Sequence, residues 1–230
     1  MRRSIELVNG TVQYCNADVK RYGTVSHMDR RQHYQSVAVE LFTERGFNGV
    51  SMDEVVAAAG GSKATLYRYF PSKEALFEGI IGDLTQMTIA ARPVDELGRL
   101  ALDDALREIG RAAAQAALSE RATVLFRLAV GEHNRFPALA NVMFERGPAV
   151  TYERLRRFIE ARAEAGEIEV DDAQIAAEQF LGGIVGHQQL RRALGQPTAS
   201  VTGMEARVDA AIATFRAAYA TRAVGAVTRP

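Results

Sequence analysis

The chain has 230 residues, 47% hydrophobic and 7% aromatic with no tryptophan, which is enough for a sizeable core and suits an alanine-rich helical protein of one or two domains. Its 28 basic residues balance 28 acidic ones, and residues 1–80 carry 10 Lys/Arg against 9 Asp/Glu. That balance excludes a protein that coats nucleic acid by bulk charge, but not one that places a few cations on chosen bases.

No run of about 18 apolar residues suggests a membrane span, so no membrane partner is expected. The start MRRSIELVNGTVQYC lacks the apolar stretch of a signal peptide, and the single Cys15 cannot form an intrachain disulfide, so a cytoplasmic location is expected. Residues 1–28 show only weak periodicity and read as an extension, with Met28 as an alternative physiological start. The functional alternative is a basic arm in which Arg2, Arg3, Lys20 and Arg21 reach the DNA backbone or minor groove.

The segment SMDEVVAAAGGSKATLYRYFPSKEAL, Ser51 to Leu76, is the most informative part of the chain. Ser51 followed by Glu54 has the spacing of a capping box, in which hydroxyl and carboxylate each satisfy a backbone N–H at a helix start. Val55, Val56 and Ala59 form an apolar stripe at helical spacing. Gly60 and Gly61 stop that helix by tolerating positive φ. Ser62 caps a second helix, on which Leu66 and Phe70 share one face while Ala64 and Arg68 point the opposite way, flanked by Thr65 and Tyr67. Pro71 ends it, and Ser72 caps a third helix running through Glu78. Two short helices joined by a glycine turn make a helix-turn-helix, with one face for the core and one free to read a partner. Lys73 is anomalous in this setting, because a cation in a first helical turn opposes the macrodipole unless an external anion such as a DNA phosphate sits there.

Ala38, Leu41, Phe42, Gly46, Phe47, Ser51, Val55, Ala59, Gly60, Ser62, Thr65, Leu66, Tyr67, Tyr69, Phe70, Lys73 and Leu76 together resemble the N-terminal signature of the TetR family of bacterial transcriptional regulators. The resemblance implies an all-α fold, with an N-terminal three-helix helix-turn-helix domain followed by a helical dimerisation and effector-binding domain. It also implies base contacts from Lys63, Ala64, Thr65 and Arg68, and phosphate contacts from Ser51, Tyr67, Tyr69 and Lys73. The helical wheel independently favours Ala64, Thr65 and Arg68. Two positions depart from the signature: Val56 replaces a small alanine, and Gly61 replaces an apolar turn residue. The latter predicts a thinner plug between the helices and a looser turn.

From Asp83 onward, Ala, Leu, Glu and Arg recur at helical spacing, punctuated by Pro93, Pro137, Pro148 and Pro197. This pattern predicts helices near 101–118, 119–133, 148–166, 171–195 and 203–222. The stretch from Glu132 to Gly186 is similar to the C-terminal domain of the AefR-like TetR subgroup. The expected organisation is an extension over 1–28, a DNA-binding domain over 29–82 and an effector-binding and dimerisation domain over 83–230. Ala176, Ala177, Gly182, Gly183 and Gly186 are small residues on one long helix. Interior glycine costs about 0.5–1 kcal/mol relative to alanine, so three of them suggest close helix approach across a homodimer. With the last helix they predict a four-helix contact that sets two reading helices one DNA turn, roughly 34–36 Å, apart on a palindromic operator.

Candidates for an effector pocket are Phe126, His133, Phe136, Phe144, Tyr152, Phe158, Phe180, Ile184 and His187. Phe180, Ile184 and His187 share one helical face and would pair two apolar groups with one polar handle, suiting a small apolar molecule. The alternative is that the aromatics are ordinary core and His187 is a satisfied polar group in a dimer seam. Among His27, His33, His133 and His187 no metal-binding helix motif occurs, and adjacent Glu132 and His133 point about 100° apart on a helix, so no cofactor, metal or catalytic site is expected. The composite expectation is a dimeric repressor released from double-stranded operator DNA by a small apolar effector. The alternatives are a DNA-binding regulator without such an effector, controlled by a protein partner or acting as an activator, and a helical ligand-binding protein or enzyme that keeps a non-functional helix-turn-helix.

Overall fold

The computed structural model describes the backbone of residues 6–8, 11–13, 27–89 and 94–221, and the side chains of 30–86 and 96–221. The fold is all-α as expected, with one small addition. Strands β1 (Glu6–Val8) and β2 (Thr11–Gln13) pair antiparallel, Leu7 opposite Val12. The candidate arm residues Arg2, Arg3, Lys20 and Arg21 lie outside the described residues.

Helix α1 (His27–Arg45) ends at Gly46, whose φ of 71° lets the chain turn towards α2 (Met52–Ala59). The capping box forms as its spacing predicts: Glu54 N–H donates to Ser51 Oγ at 3.2 Å, and Ser51 N–H donates to Glu54 Oε2 at 2.8 Å. Ser62 caps α3 (Lys63–Tyr69) by accepting from the Thr65 N–H at 3.2 Å. Phe70 leaves the helix with extended geometry before Pro71. Ser72 then caps α4 (Lys73–Ile89), accepting from the Ala75 N–H at 3.1 Å; this helix runs well past Glu78.

The turn between α2 and α3 is not loose. Gly61 sits at φ 137°, and a side chain there would run into the Tyr34 hydroxyl. Tyr34 is 0% exposed and fills the space that an apolar turn residue would otherwise occupy. The plug comes from α1, which sequence spacing within the turn could not reveal.

The remaining helices are α5 (Val94–Leu97), α6 (Leu102–Ala117), α7 (Glu120–Gly131), α8 (Pro137–Arg146), α9 (Pro148–Glu164), α10 (Ala173–Leu181), α11 (His187–Ala193) and α12 (Val201–Tyr219). Helix α8 has no counterpart among the expected elements. Pro137 serves as its first-turn residue rather than as punctuation, and Pro148 does the same for α9. The single helix expected over 171–195 is interrupted, because Gly182–Gly186 forms a π-helical turn between α10 and α11.

Burial divides into two cores. One surrounds α1–α4 and also takes in Leu125 and Ala129 from α7 and Leu139 from α8. The other joins α6, α9, α10, the π turn and α12, around Leu106, Phe158, Phe180, Ile184 and Phe215. Phe136 packs edge-on against Phe47 at 5.5 Å, tying the α7–α8 turn to the first core. Arg162, only 7% exposed, pairs with Glu167 at 2.7 Å and donates to the carbonyls of Leu97, Gly98 and Leu100. One buried guanidinium thereby satisfies the backbone between α5 and α6.

Candidate nucleic-acid interface and ligand cavity

Helix α3 is amphipathic in the way a reading helix requires. Leu66 is fully buried and Phe70 nearly so, while Lys63, Ala64, Tyr67 and Arg68 are exposed and Thr65 and Tyr69 are half-buried. Thr65 Oγ1 lies 2.9 Å from Ser62 Oγ, which fixes its rotamer beside the cap. The Arg68 guanidinium lies over the Tyr69 ring, 5.3 Å from its centroid, in a cation–π contact.

Beside this face, Ser51, Tyr67 and Lys73 line one shallow depression together with Asn48 and Gly49, so three residues distant in sequence converge. Asn48 and Gly49 carry no helical pattern, and only the fold brings them there. Charges around the depression are paired. Lys63 Nζ donates to Asp53 at 2.6 Å, and that hydrogen bond holds the ammonium above the ordinary lysine pKa. Arg45 donates to Glu54 at 3.0 Å, while Ser51 holds the Glu54 carboxyl below the usual carboxylate range. The acids of α2 therefore do not present bare negative charge to the face.

Lys73 has partners inside the protein. Its Nζ donates to the carbonyls of Phe47 at 2.6 Å and Val50 at 2.7 Å, and lies 4.3 Å from the Phe47 ring centroid. Burial pulls its pKa below that of ordinary lysine, opposed by Glu74, Glu132 and Glu54. These carbonyls supply an internal reason for a first-turn cation that the sequence had assigned to an external anion. Two of the three ammonium donors are occupied, leaving one for a phosphate. His33 was given no role in the sequence reading, yet its Nε2–H donates to the Ala59 carbonyl at 2.9 Å and closes the end of α2.

A cavity of about 110 Å³ lies between the two cores. Helix α4 contributes Ile81, Leu84 and Thr85, and α6 and α7 contribute Ala113, Ala116, Ala117 and Ala122. The α8–α9 joint contributes Met143, Gly147, Pro148, Thr151 and Tyr152; Leu181, Val185 and Gln189 close the far side. Thr85 Oγ1 donates to the Arg146 carbonyl at 2.6 Å, fastening α4 to the end of α8.

Of the nine residues expected to line a pocket, Tyr152 alone lines this cavity. Phe158, Phe180 and Ile184 are buried in the second core. Phe136 packs on the first core, Phe126 is half-buried on α7, and His133, Phe144 and His187 are exposed. The π turn explains His187. Widening the turn to i→i+5 bonding adds about one residue, so the inward row runs Phe180, Ile184, Gln188 rather than ending at His187. The cavity's alanines were missed because an alanine run on an amphipathic helix reads as ordinary packing.

The small residues expected at a dimer seam also separate. Ala176 and Ala177 are 0% exposed and belong to the core. Gly182, Gly183 and Gly186 are exposed, and a side chain added at any of them would meet no atom within 4 Å. Close approach inside the subunit therefore does not account for these three glycines.

Among the described residues, no helix is long and apolar enough to cross a membrane, and no cluster of three His, Cys, Asp or Glu is disposed to hold a metal.

Comparison with known proteins agrees with this architecture. Residues 36–80 match the family of bacterial regulatory proteins, tetR family, and residues 104–221 match the AefR-like transcriptional repressor, C-terminal domain. The flavonoid-responsive regulator FrrA is 36% identical with a TM-score of 0.69, covering 84% of this chain and 98% of its own. A TetR transcriptional regulator from Agrobacterium tumefaciens is 27% identical with a TM-score of 0.67, covering 84% of this chain and 95% of its own. The nucleoid occlusion factor SlmA of Photobacterium profundum is 30% identical over 68% of this chain and 80% of its own length. Other likenesses are more local. The match to MftR of Mycobacterium tuberculosis, 38% identical, spans 41% of that protein, and the match to the HTH-type transcriptional regulator RutR of Escherichia coli, 36% identical, spans 26%.

Proposed function

The chain belongs to the TetR family of transcriptional regulators, and from that membership we propose that it is a dimeric repressor whose α3 reads a palindromic operator and which a small apolar effector releases. Residues 29–82 form the DNA-binding part, and residues 83–230 bind the effector and the second copy. Family membership sets the chain among DNA-binding transcription factors rather than enzymes.

The observation that carries this proposal is the double employment of α4. Its first residue, Lys73, holds the carbonyls of the α1–α2 loop, while Ile81, Leu84 and Thr85 on the same helix line the cavity. A molecule that displaces α4 from within the cavity also displaces the helix on which the reading head is seated. Release then requires only that the effector bind the non-binding arrangement more tightly. The 36%-identical FrrA is described as flavonoid-responsive, which supports a small-molecule effector.

The base contacts assigned to α3 are Lys63, Ala64, Thr65 and Arg68, with Ser51, Tyr67, Tyr69 and Lys73 on phosphates. Selection from a randomised pool of duplex DNA tests the assignment. The expected outcome is an inverted repeat with half-sites roughly 34–36 Å apart. Lys63→Ala combined with Thr65→Ala should remove that enrichment while helical circular dichroism is unchanged. A wild-type protein that enriches no sequence would overturn the proposal.

A further inference from the structure

We infer that the cavity selects a neutral aromatic molecule bearing a hydroxyl group at one edge, which Thr151, Tyr152 and Gln189 recognise; this rests on the effector-binding reading above. Its walls are chemically unequal. The side formed by α4, α6 and α7 is apolar, and four alanines, Ala113, Ala116, Ala117 and Ala122, leave a wall without long side chains. Thr85, the polar residue on that side, is already committed to the Arg146 carbonyl. The opposite side carries three polar side chains, and Thr151, Tyr152 and Gln189 make no hydrogen bond with the described protein. Glu178 acts on the Tyr152 phenol through its charge; polar side chains that make no hydrogen bond at an apolar cavity are complementary to a ligand that supplies one.

The π turn is part of this arrangement. By widening one turn it keeps Leu181, Val185 and Gln189 in one row, so that Gln189 lines the cavity while His187 is exposed. The lining contains no Lys, Arg, His, Asp or Glu. A carboxylate or phosphate held there would be desolvated without a counter-charge, which the site does not offset. A hydroxyl, by contrast, can donate to the Gln189 carbonyl oxygen and accept from Tyr152 or Thr151. The volume, about 110 Å³, is of the order of engineered apolar cavities that admit a benzene ring.

Calorimetric titration of the full chain with ethylbenzene, 4-ethylphenol and 4-ethylbenzoate tests this class. The phenol should bind about tenfold more tightly than the hydrocarbon, the increment of one satisfied hydrogen bond, and the benzoate should show no binding. Tyr152→Phe and Gln189→Leu should each lower the phenol-to-hydrocarbon ratio towards one while ethylbenzene affinity stays at the wild-type value. A merely structural role would change both ligands alike, and the conservative Tyr152→Phe keeps the test valid if the glutamine variant unfolds. Equal affinity for phenol and hydrocarbon in the wild type, a ratio that survives both substitutions, or tight benzoate binding would overturn the inference while leaving the cavity as an apolar effector site. Absence of binding by all three would overturn the effector reading itself, and this inference with it.

Discussion

At the scale of single residues, local caps and one buried cation define the frame on which the reading face is built. Ser51 and Glu54 satisfy each other's backbone N–H groups, so Ser51→Ala should destabilise the protein by about 1 kcal/mol, seen as a lower midpoint in urea unfolding. The Glu54 carboxyl is held below the usual carboxylate range by its bonds to Ser51, with Arg45 adding to the effect. A carboxyl depressed in the folded state stabilises above its unfolded pKa and loses that contribution as the pH falls through its folded value. The melting-temperature gap between wild type and Glu54→Gln should therefore be constant near neutrality and shrink below pH 4.5; a gap that widens in acid would contradict the assignment. Arg162 is a different case, because its loss strands three loop carbonyls and Glu167. Arg162→Ala should cost about 2–4 kcal/mol by thermal unfolding, well beyond any exposed ion pair.

At the scale of elements, what was legible in the sequence is what depends on short-range spacing. The caps at Ser51, Ser62 and Ser72, the stop at Gly60–Gly61 and the two faces of α3 each involve residues within a turn or two of one another, and each forms as expected. The cavity was not legible, because its wall is assembled from α4, α6, α7, α9 and the α10–α11 row, and no periodicity records which alanines meet across it. His187 was misplaced for a related reason: regular helical phase was carried through three glycines where the backbone inserts a π turn. Those glycines carry a prediction of their own. Gly183 faces open space within the π turn and does not need a left-handed φ, so Gly183→Leu should not harm the isolated subunit. It should nevertheless raise the monomer fraction in light scattering; a fully dimeric variant would place the subunit contact elsewhere. Ala117→Leu should likewise fill the cavity and abolish 4-ethylphenol binding in the calorimetric titration.

At the scale of the whole molecule, the two cores meet along α4, with the cavity between them. Arg31 of α1 reaches Asp83 of α4 at 2.5 Å, and Arg146 of α8 reaches Glu78 of α4 at 2.6 Å, so α1 and α8 are both fastened to that helix. On the proposed function, binding in the cavity and binding to DNA are linked, and linkage is reciprocal: an effector that lowers DNA affinity tenfold must itself bind tenfold more weakly to the DNA complex. Overall neutrality sharpens the expectation for DNA, since 28 basic and 28 acidic residues leave little non-specific attraction to compete with base recognition. The most direct measurement is fluorescence anisotropy with DNA flanking the protein's own gene beside scrambled DNA of equal length, at two salt concentrations. Saturable binding that survives the higher salt is expected for the native fragment alone, with its loss in the Lys63→Ala, Thr65→Ala variant. Binding to both fragments with equal affinity, or binding to the native fragment that the double substitution leaves intact, would contradict the assignment of α3 as the reading helix.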